Sequence, residues 1–137
     1  MGSIQNNIGQ MQAQFSQFNQ WEDRYRFIMK SGKNLAPYPA DKLNDDYLID
    51  GCESRVWLNW KIQDNKLFIQ ATSEARIVKG LLWILITPID QQPLTEIAEL
   101  DLAAYFQSLG LTKHLSPSRG NGLLTIAKHI QQIAQQA

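Results

Sequence analysis

The chain of 137 residues has little cysteine and little histidine, with one cysteine, Cys52, and two histidines, His114 and His129. A single thiol cannot close an intramolecular disulfide, which excludes the disulfide-stapled secreted scaffolds and favours a reducing cytoplasm. A structural zinc ion needs four ligands, and three such residues would need carboxylates to complete a site. The sequence therefore predicts no metal site.

Net charge and long apolar runs are also lacking. Thirteen basic side chains balance thirteen acidic ones, whereas nucleic-acid binders normally carry a clustered basic excess. The longest apolar stretch, Gly80 to Ile86, is far shorter than the roughly 20 residues of a membrane helix, and the N-terminus lacks the pattern of a signal peptide. We therefore expect neither a nucleic-acid nor a membrane partner. Gly-rich phosphate loops and the HExxH and GxSxG motifs are absent as well.

The length predicts one domain, residues 1–137, with an N-terminal helix at about 4–18 and a core at about 20–136. The helix is indicated by apolar residues spaced three and four apart: Ile4, Ile8, Met11, Phe15 and Phe18. Asn19 is the expected N-cap of a second helix at about 20–31, stopped by Gly32. The two prolines between Lys33 and Asp46 indicate a connection.

From Tyr47 the period changes to two. Residues 54–63 alternate, with Val56, Leu58, Trp60 and Ile62 on one face, and residues 66–71 repeat the pattern after the turn at Asp64-Asn65. Tyr47 to Asp50 suggests a third short strand. Ser73 is the expected cap of a helix that ends at Thr87-Pro88. The predicted class is α+β, a small antiparallel sheet of about three strands packed against helices.

Three further helices are expected toward the C-terminus. Thr95 and Asp101 are the predicted caps of two short helices, the second ending at Gly110. Ser116-Pro117 combines a capping hydroxyl with a proline at the first helical position. The last helix presents an apolar stripe of Leu123, Ile126, Ile130 and Ile133.

The first candidate for chemistry is Cys52, in a turn after Gly51 and just ahead of a strand. A thiol on a loop is accessible, and Arg55 would favour the reactive thiolate. Free cysteine is, however, among the most buried residue types. Taken alone, the segment favours an inert thiol, because Asp50 and Glu53 oppose a thiolate.

Two other segments carry weaker signals. His114 to Arg119 opens the last helix, where backbone donors and Arg119 suit an anion or a nearby thiolate. An ordinary capped helix with a solvated arginine is the alternative. Glu74 to Gly80 is typical of a solvated helix face. A Cys52–His114 dyad lacks an orienting third residue.

Together these segments resemble the SufE/CsdE family of sulfur-acceptor proteins over about Trp21 to Ile130. The resemblance is carried by three blocks in order: Gly51-Cys52-Glu53-Ser54-Arg55-Val56-Trp57-Leu58, Ala75-Arg76-Ile77-Val78-Lys79-Gly80-Leu81, and Leu109-Gly110-Leu111 through His114-Leu115-Ser116-Pro117-Ser118-Arg119. It implies a SufE/NifU-like fold. It also implies a sulfur carrier and desulfurase activator rather than a stand-alone enzyme.

According to this resemblance, Cys52 accepts sulfur from the persulfide of a pyridoxal-phosphate cysteine desulfurase, SufS- or CsdA-type, and delivers it to an Fe-S scaffold of the SufBCD type. The cofactor resides on the desulfurase and none on this chain, which is expected to be a cytoplasmic monomer. An allosteric activator with an incidental thiol is the alternative.

The resemblance also assigns supporting positions. Gly51 would be the hinge of a Cys52 loop that packs over an apolar surface and swings out on docking. His114, Ser118 and Arg119 would support the thiolate or bind the partner, and Glu74 and Arg76 are weaker docking candidates. Two positions depart from the family pattern: Glu53, where an amide is common, and Trp83, where smaller residues are usual.

Overall fold

The computed structural model describes residues 3–49, 54–111 and 115–137, which form helices around a small sheet. The elements in chain order are α1 Ile4–Ser16, α2 Trp21–Ser31, β1 Val56–Gln63, β2 Lys66–Ser73, α3 Arg76–Ile86, β3 Gln92–Pro93, α4 Leu94–Glu99, α5 Leu102–Ser108 and α6 Pro117–Gln136. Short 3-10 turns at Gly32–Asn34, Ala40–Lys42 and Asp45–Tyr47 punctuate the connection between α2 and β1. The sheet is antiparallel with the order β1-β2-β3, which confirms the predicted α+β class.

The β1–β2 hairpin has the predicted turn. Asp64 and Asn65 adopt φ values of 55° and 61°, the left-handed pair that matches the twist of a two-residue hairpin. Gln63 then pairs with Lys66, and the register runs back to Val56 opposite Ser73. One face of the hairpin is buried along β2 and along the first half of β1.

The third strand is not the predicted one. Of the segment Tyr47 to Asp50, Asp50 lies outside the described residues, and Leu48 makes only an isolated bridge with Trp57. The third strand is β3, which pairs with Lys66 and Leu67 of β2. Two residues including a proline show no alternation, so no periodic pattern reveals this strand.

Three predicted helix caps are wrong, and two are confirmed. The N-cap positions of α2, α3 and α4 are Gln20, Ala75 and Pro93, rather than Asn19, Ser73 and Thr95. Ser73 fails as a cap because it is the last residue of β2, and its hydroxyl donates to the Arg55 carbonyl at 2.6 Å. Asp101 and Ser116 do cap α5 and α6, accepting from the backbone N–H groups of Ala104 and Arg119.

The first and last helices, α1 and α6, both contribute buried residues to the core. The predicted apolar stripes of both helices are buried, except for Phe18, which follows the end of α1. The buried residues are Ile4, Ile8, Met11, Phe15, Leu123, Ile126, Ile130 and Ile133. Phe18 is half-buried, and its ring lies 5.4 Å from that of Phe27. Within the described part of the chain, no helix is both long and apolar enough to span a bilayer.

Helices α2 and α3 approach closely where α3 has a glycine. A Cβ atom on Gly80 would lie 1.8 Å from the Ile28 carbonyl oxygen, and one on Gly32 would lie 3.0 Å from Cβ of Lys79. Only a missing side chain allows such a contact between backbones. The close packing fixes the start of α3 beside the end of α2. Of the two candidate docking residues, Arg76 is the first residue of α3 and Glu74 lies two residues before it.

Candidate functional site

The two residues that flank the segment with the only cysteine are hydrogen-bonded to each other. Gly51, Cys52 and Glu53 lie outside the described residues, as does His114, so the site is defined by the residues that flank them. The Ile49 N–H donates to the Val56 carbonyl at 2.9 Å, next to the bridge between Leu48 and Trp57. Residues 49 and 56 therefore hold the two ends of the cysteine segment together at the start of β1.

Arg55 and Glu74 fasten one of these ends to the start of α3. The Arg55 guanidinium donates to Oε2 of Glu74 from Nη2 at 3.0 Å and from Nε at 3.2 Å, and the Arg55 backbone N–H donates to Oε1 at 3.3 Å. These hydrogen bonds from Arg55 hold the pKa of the Glu74 carboxyl below its usual range. Two-point binding of this kind fixes orientation as well as distance.

The guanidinium of Arg55 is therefore already engaged. Besides Glu74, it lies over the ring of Trp57, 5.4 Å from the ring centroid. The sequence hypothesis that Arg55 favours a thiolate at Cys52 must account for this competing carboxylate. The geometry instead makes Arg55 a residue that positions the end of the segment.

An open groove of about 400 Å³ lies beside the other end of the segment. Its lining includes Ile49, Leu58, Trp60 and His129. Trp60 is 45% exposed and Ile62 is 41% exposed, whereas Val56 and Leu58 on the same face are buried. These four alternating residues share one face of the strand, but only the first two are buried, because the core covers β1 only along its first half.

Sequence reasoning did not select Trp60 or His129 as site residues. Trp60 occupied an alternating position that predicts burial, and His129 lies far along the chain on α6, joined to the groove only by the fold. The sole sequence signal was a large aromatic residue within the alternating segment 54–63.

The start of α6 supplies the third block of the site. The Ser116 side chain accepts from the Arg119 N–H at 3.2 Å, and Ser118 between them is exposed. Arg119 is half-buried, and its Nε atom is enclosed without a hydrogen-bond partner in the described structure. Such a donor suits an acceptor that arrives from outside the described residues.

Glu74 and Arg76 face different surroundings, although they are two residues apart. Glu74 binds Arg55, whereas Arg76 lines a small cavity with Met29, Gly32, Lys33 and Lys79. Among the described residues, no three histidine, cysteine, aspartate or glutamate side chains are grouped to hold a metal ion.

Comparison with known proteins places these features in a family. A family model described as "SufE: Fe-S metabolism associated domain" matches residues 9–134. The chain is 38% identical over 117 residues to the sulfur acceptor protein CsdE of Escherichia coli, an alignment that covers 85% of this chain and 80% of CsdE. It is 36% identical over 123 residues to the cysteine desulfuration protein SufE of Wigglesworthia glossinidia brevipalpis, covering 88% and 85% of the two chains.

A relative and a solved structure extend the comparison. An uncharacterized SufE-like protein of Haemophilus influenzae is 38% identical over 125 residues, covering 90% of this chain and 98% of that protein. The solution structure of a hypothetical protein from Thermus thermophilus shares the fold, with a TM-score of 0.78 at 16% identity and coverage of 96% and 95%. By the family match and these identities, the chain belongs to the SufE family.

Proposed function

We propose that this protein is a sulfur acceptor that takes persulfide sulfur from a cysteine desulfurase on Cys52, stimulates that desulfurase and passes the sulfur to an Fe-S cluster scaffold. Two relatives carry the names sulfur acceptor protein and cysteine desulfuration protein, and both align with most of the chain. In this proposal the pyridoxal phosphate belongs to the partner, and the carrier acts in the cytoplasm as a monomer when free.

The transfer needs one thiolate and no cofactor on this chain. The Cys52 thiolate attacks the outer sulfur of the donor persulfide, a new S–S bond forms, and the old S–S bond breaks as the donor thiolate leaves with its electron pair. The sulfur atom changes carrier without a change in the total oxidation state. A second cysteine is unnecessary because no disulfide has to be resolved within the carrier.

The observation that carries the proposal is the position of the only cysteine in the chain. Cys52 belongs to a segment whose ends are fixed by the Ile49–Val56 hydrogen bond and by the Arg55–Glu74 pair. A short segment on a rigid base suits a thiol that must be presented to a partner. The groove beside Ile49, with Trp60 on its wall, supplies apolar surface next to that segment.

Mass spectrometry after incubation with the desulfurase and cysteine tests the proposal. We expect one additional sulfur atom on Cys52 of the native chain and none on Cys52→Ser. A native chain that stays unmodified while the desulfurase turns over would contradict the carrier function. Full stimulation of the desulfurase by Cys52→Ala would instead favour an allosteric activator with an incidental thiol.

A further inference from the structure

The close packing of α2 against α3 gathers three cations around one small cavity. Gly80 lies against Ile28, so the first turn of α3 meets the 3-10 turn that follows α2. Lys33 from that turn and Arg76 and Lys79 from α3 line a cavity of about 50 Å³. The backbone contact therefore brings Lys33 close to Arg76 and Lys79, which lie more than forty residues later in the sequence.

No described carboxylate neutralises this basic cluster of Lys33, Arg76 and Lys79. The ion pairs in the described part of the chain are Arg26–Asp23 and Arg55–Glu74, and neither includes a member of the cluster. The first turn of α3 contains no acidic residue. Lys33 and Arg76 are exposed, so their charges act on an approaching partner. In a chain of zero net charge, the cluster is therefore a local excess of positive charge that can attract a negatively charged group.

We propose that the basic cluster docks an acidic side chain on the surface of the cysteine desulfurase, an inference that rests on the proposed function. A cavity needs about 10–15 Å³ of this kind of volume to hold one water molecule, so a cavity of about 50 Å³ has room for one carboxylate group. Three cations around a single small cavity fit one carboxylate better than a nucleic-acid backbone, which requires cations spread along a track.

The position of the cluster in the chain suits docking near Arg55 and Glu74, the described residues at one end of the cysteine segment. Arg76 follows Glu74 by two residues, and Glu74 binds Arg55 at the base of the cysteine segment. A carboxylate held at the cluster would thus orient the desulfurase against the end of α3 that anchors this base. Charge contacts of this kind raise the association rate and fix the register more than they raise the final affinity.

Charge reversal at the exposed rim of the cavity tests the proposal. The double variant Lys33→Glu with Arg76→Glu changes two exposed side chains and leaves Lys79 in place, because its Cβ packs at Gly32. A glutamate at position 76 also puts a carboxylate in the first turn of α3, which favours the helix. Thermal unfolding of the variant verifies that the fold is retained.

Lys61→Glu is the matched control, because Lys61 lines a different pocket that shares no residue with the cavity of the basic cluster. Lys61 is an exposed lysine in β1, five residues and about 17 Å along the strand from Val56, toward the hairpin turn. The single reversal Arg76→Glu carries the same change of charge as this control. A loss of association caused by total charge alone would therefore appear equally in both.

Association of each variant with the pyridoxal-phosphate-loaded desulfurase is measured by surface plasmon resonance at low and at raised ionic strength. At low ionic strength we expect the double variant to associate about tenfold more slowly than the native chain, with a weaker dependence on salt. Arg76→Glu should show a smaller loss, and Lys61→Glu should stay within about twofold of the native rate. Sulfur loading of Cys52 should still proceed in every variant at saturating desulfurase.

Unchanged association of the double variant would overturn the docking proposal, as would an equal loss in Lys61→Glu. So would a finding that the two reversals weaken binding of an RNA fragment but not of the desulfurase. These failures are separate from failure of the proposed function, in which the native Cys52 acquires no sulfur at all.

Discussion

At the scale of single residues, Glu74 positions Arg55, at one end of the cysteine segment, by accepting its hydrogen bonds. Because Arg55 lowers the pKa of Glu74 in the folded chain, the pair stabilises the fold above the usual glutamate pKa. That contribution is lost as the pH falls through the lower, folded value. Both side chains are largely exposed, so solvent screens the effect.

Replacing the arginine tests this assignment. We expect Arg55→Gln to raise the pKa of Glu74 toward the ordinary glutamate value, as followed by carbon NMR of its carboxyl group during a pH titration. Arg76→Gln removes a cation that is closer to Glu74 in sequence but lines the small cavity with Lys33 and Lys79, so the Glu74 pKa should stay low. Equal shifts in both variants would show that general positive charge, rather than the Arg55 contact, lowers the pKa.

Gly80 is the residue on which the α2–α3 contact depends. A methyl group there would overlap the Ile28 carbonyl, so Gly80→Ala should lower the free energy of unfolding by about 2–3 kcal/mol in a urea titration. Gly9, in the interior of α1, has no atom within 4 Å of an added Cβ. Gly9→Ala should therefore raise the free energy of unfolding by up to about 1 kcal/mol. A gain of stability in both variants would contradict the close approach.

Residue types predicted some side-chain roles and missed others. The capping oxygens of Asp101 and Ser116 act on N–H groups three residues away, so local sequence contains all the information that these interactions need. Glu74 finds Arg55 across nineteen residues, and only the register of the hairpin brings them together. The block from Glu74 to Gly80 therefore showed charged positions but did not predict that Glu74 and Arg76 serve different surfaces.

At the scale of elements, the register of the β1–β2 hairpin sets which residue of β2 lies opposite Val56, the residue whose carbonyl accepts from Ile49 across the cysteine segment. This register depends on Asp64 and Asn65, both with positive φ. An ordinary L-residue in that conformation costs about 1–2 kcal/mol. Asn65→Val should therefore lower the free energy of unfolding by about that amount, and Asn65→Gly should leave it unchanged or raise it. Urea unfolding of the two variants checks this, and similar loss in both would rule out the conformational explanation.

Elements with a sustained period were predictable, and those fixed by tertiary contacts were not. The hairpin, α1, α3 and α6 each repeat an apolar pattern over several turns or pairs, which local sequence records. Strand β3 exists because Gln91, with φ of 65°, turns the chain so that its N–H reaches the Leu67 carbonyl at 2.7 Å. The start of α4 directly after Pro93 follows from that turn rather than from a capping side chain.

At the scale of the whole molecule, α1 tests whether the chain unfolds as one unit. The buried stripe of α1 belongs to the same hydrophobic core as α3 and α6. Phe15 contributes to it with 2% of its surface exposed, and its ring meets Phe27 edge to face at 5.2 Å. Because the N-terminal helix shares its core with the rest of the chain, we expect its loss to destabilise the entire domain.

Phe15→Ala should lower the global free energy of unfolding by about 3–5 kcal/mol, with tryptophan fluorescence and circular dichroism following one shared transition. Phe18→Ala is the matched control, because Phe18 is half-exposed beyond the end of α1 and should cost less. Two separate transitions in Phe15→Ala would mean that α1 unfolds independently of the core. One transition, moved to lower urea, is the outcome that a single domain requires, since the four buried residues of α1 belong to the same hydrophobic core as buried residues of the other helices and of the hairpin.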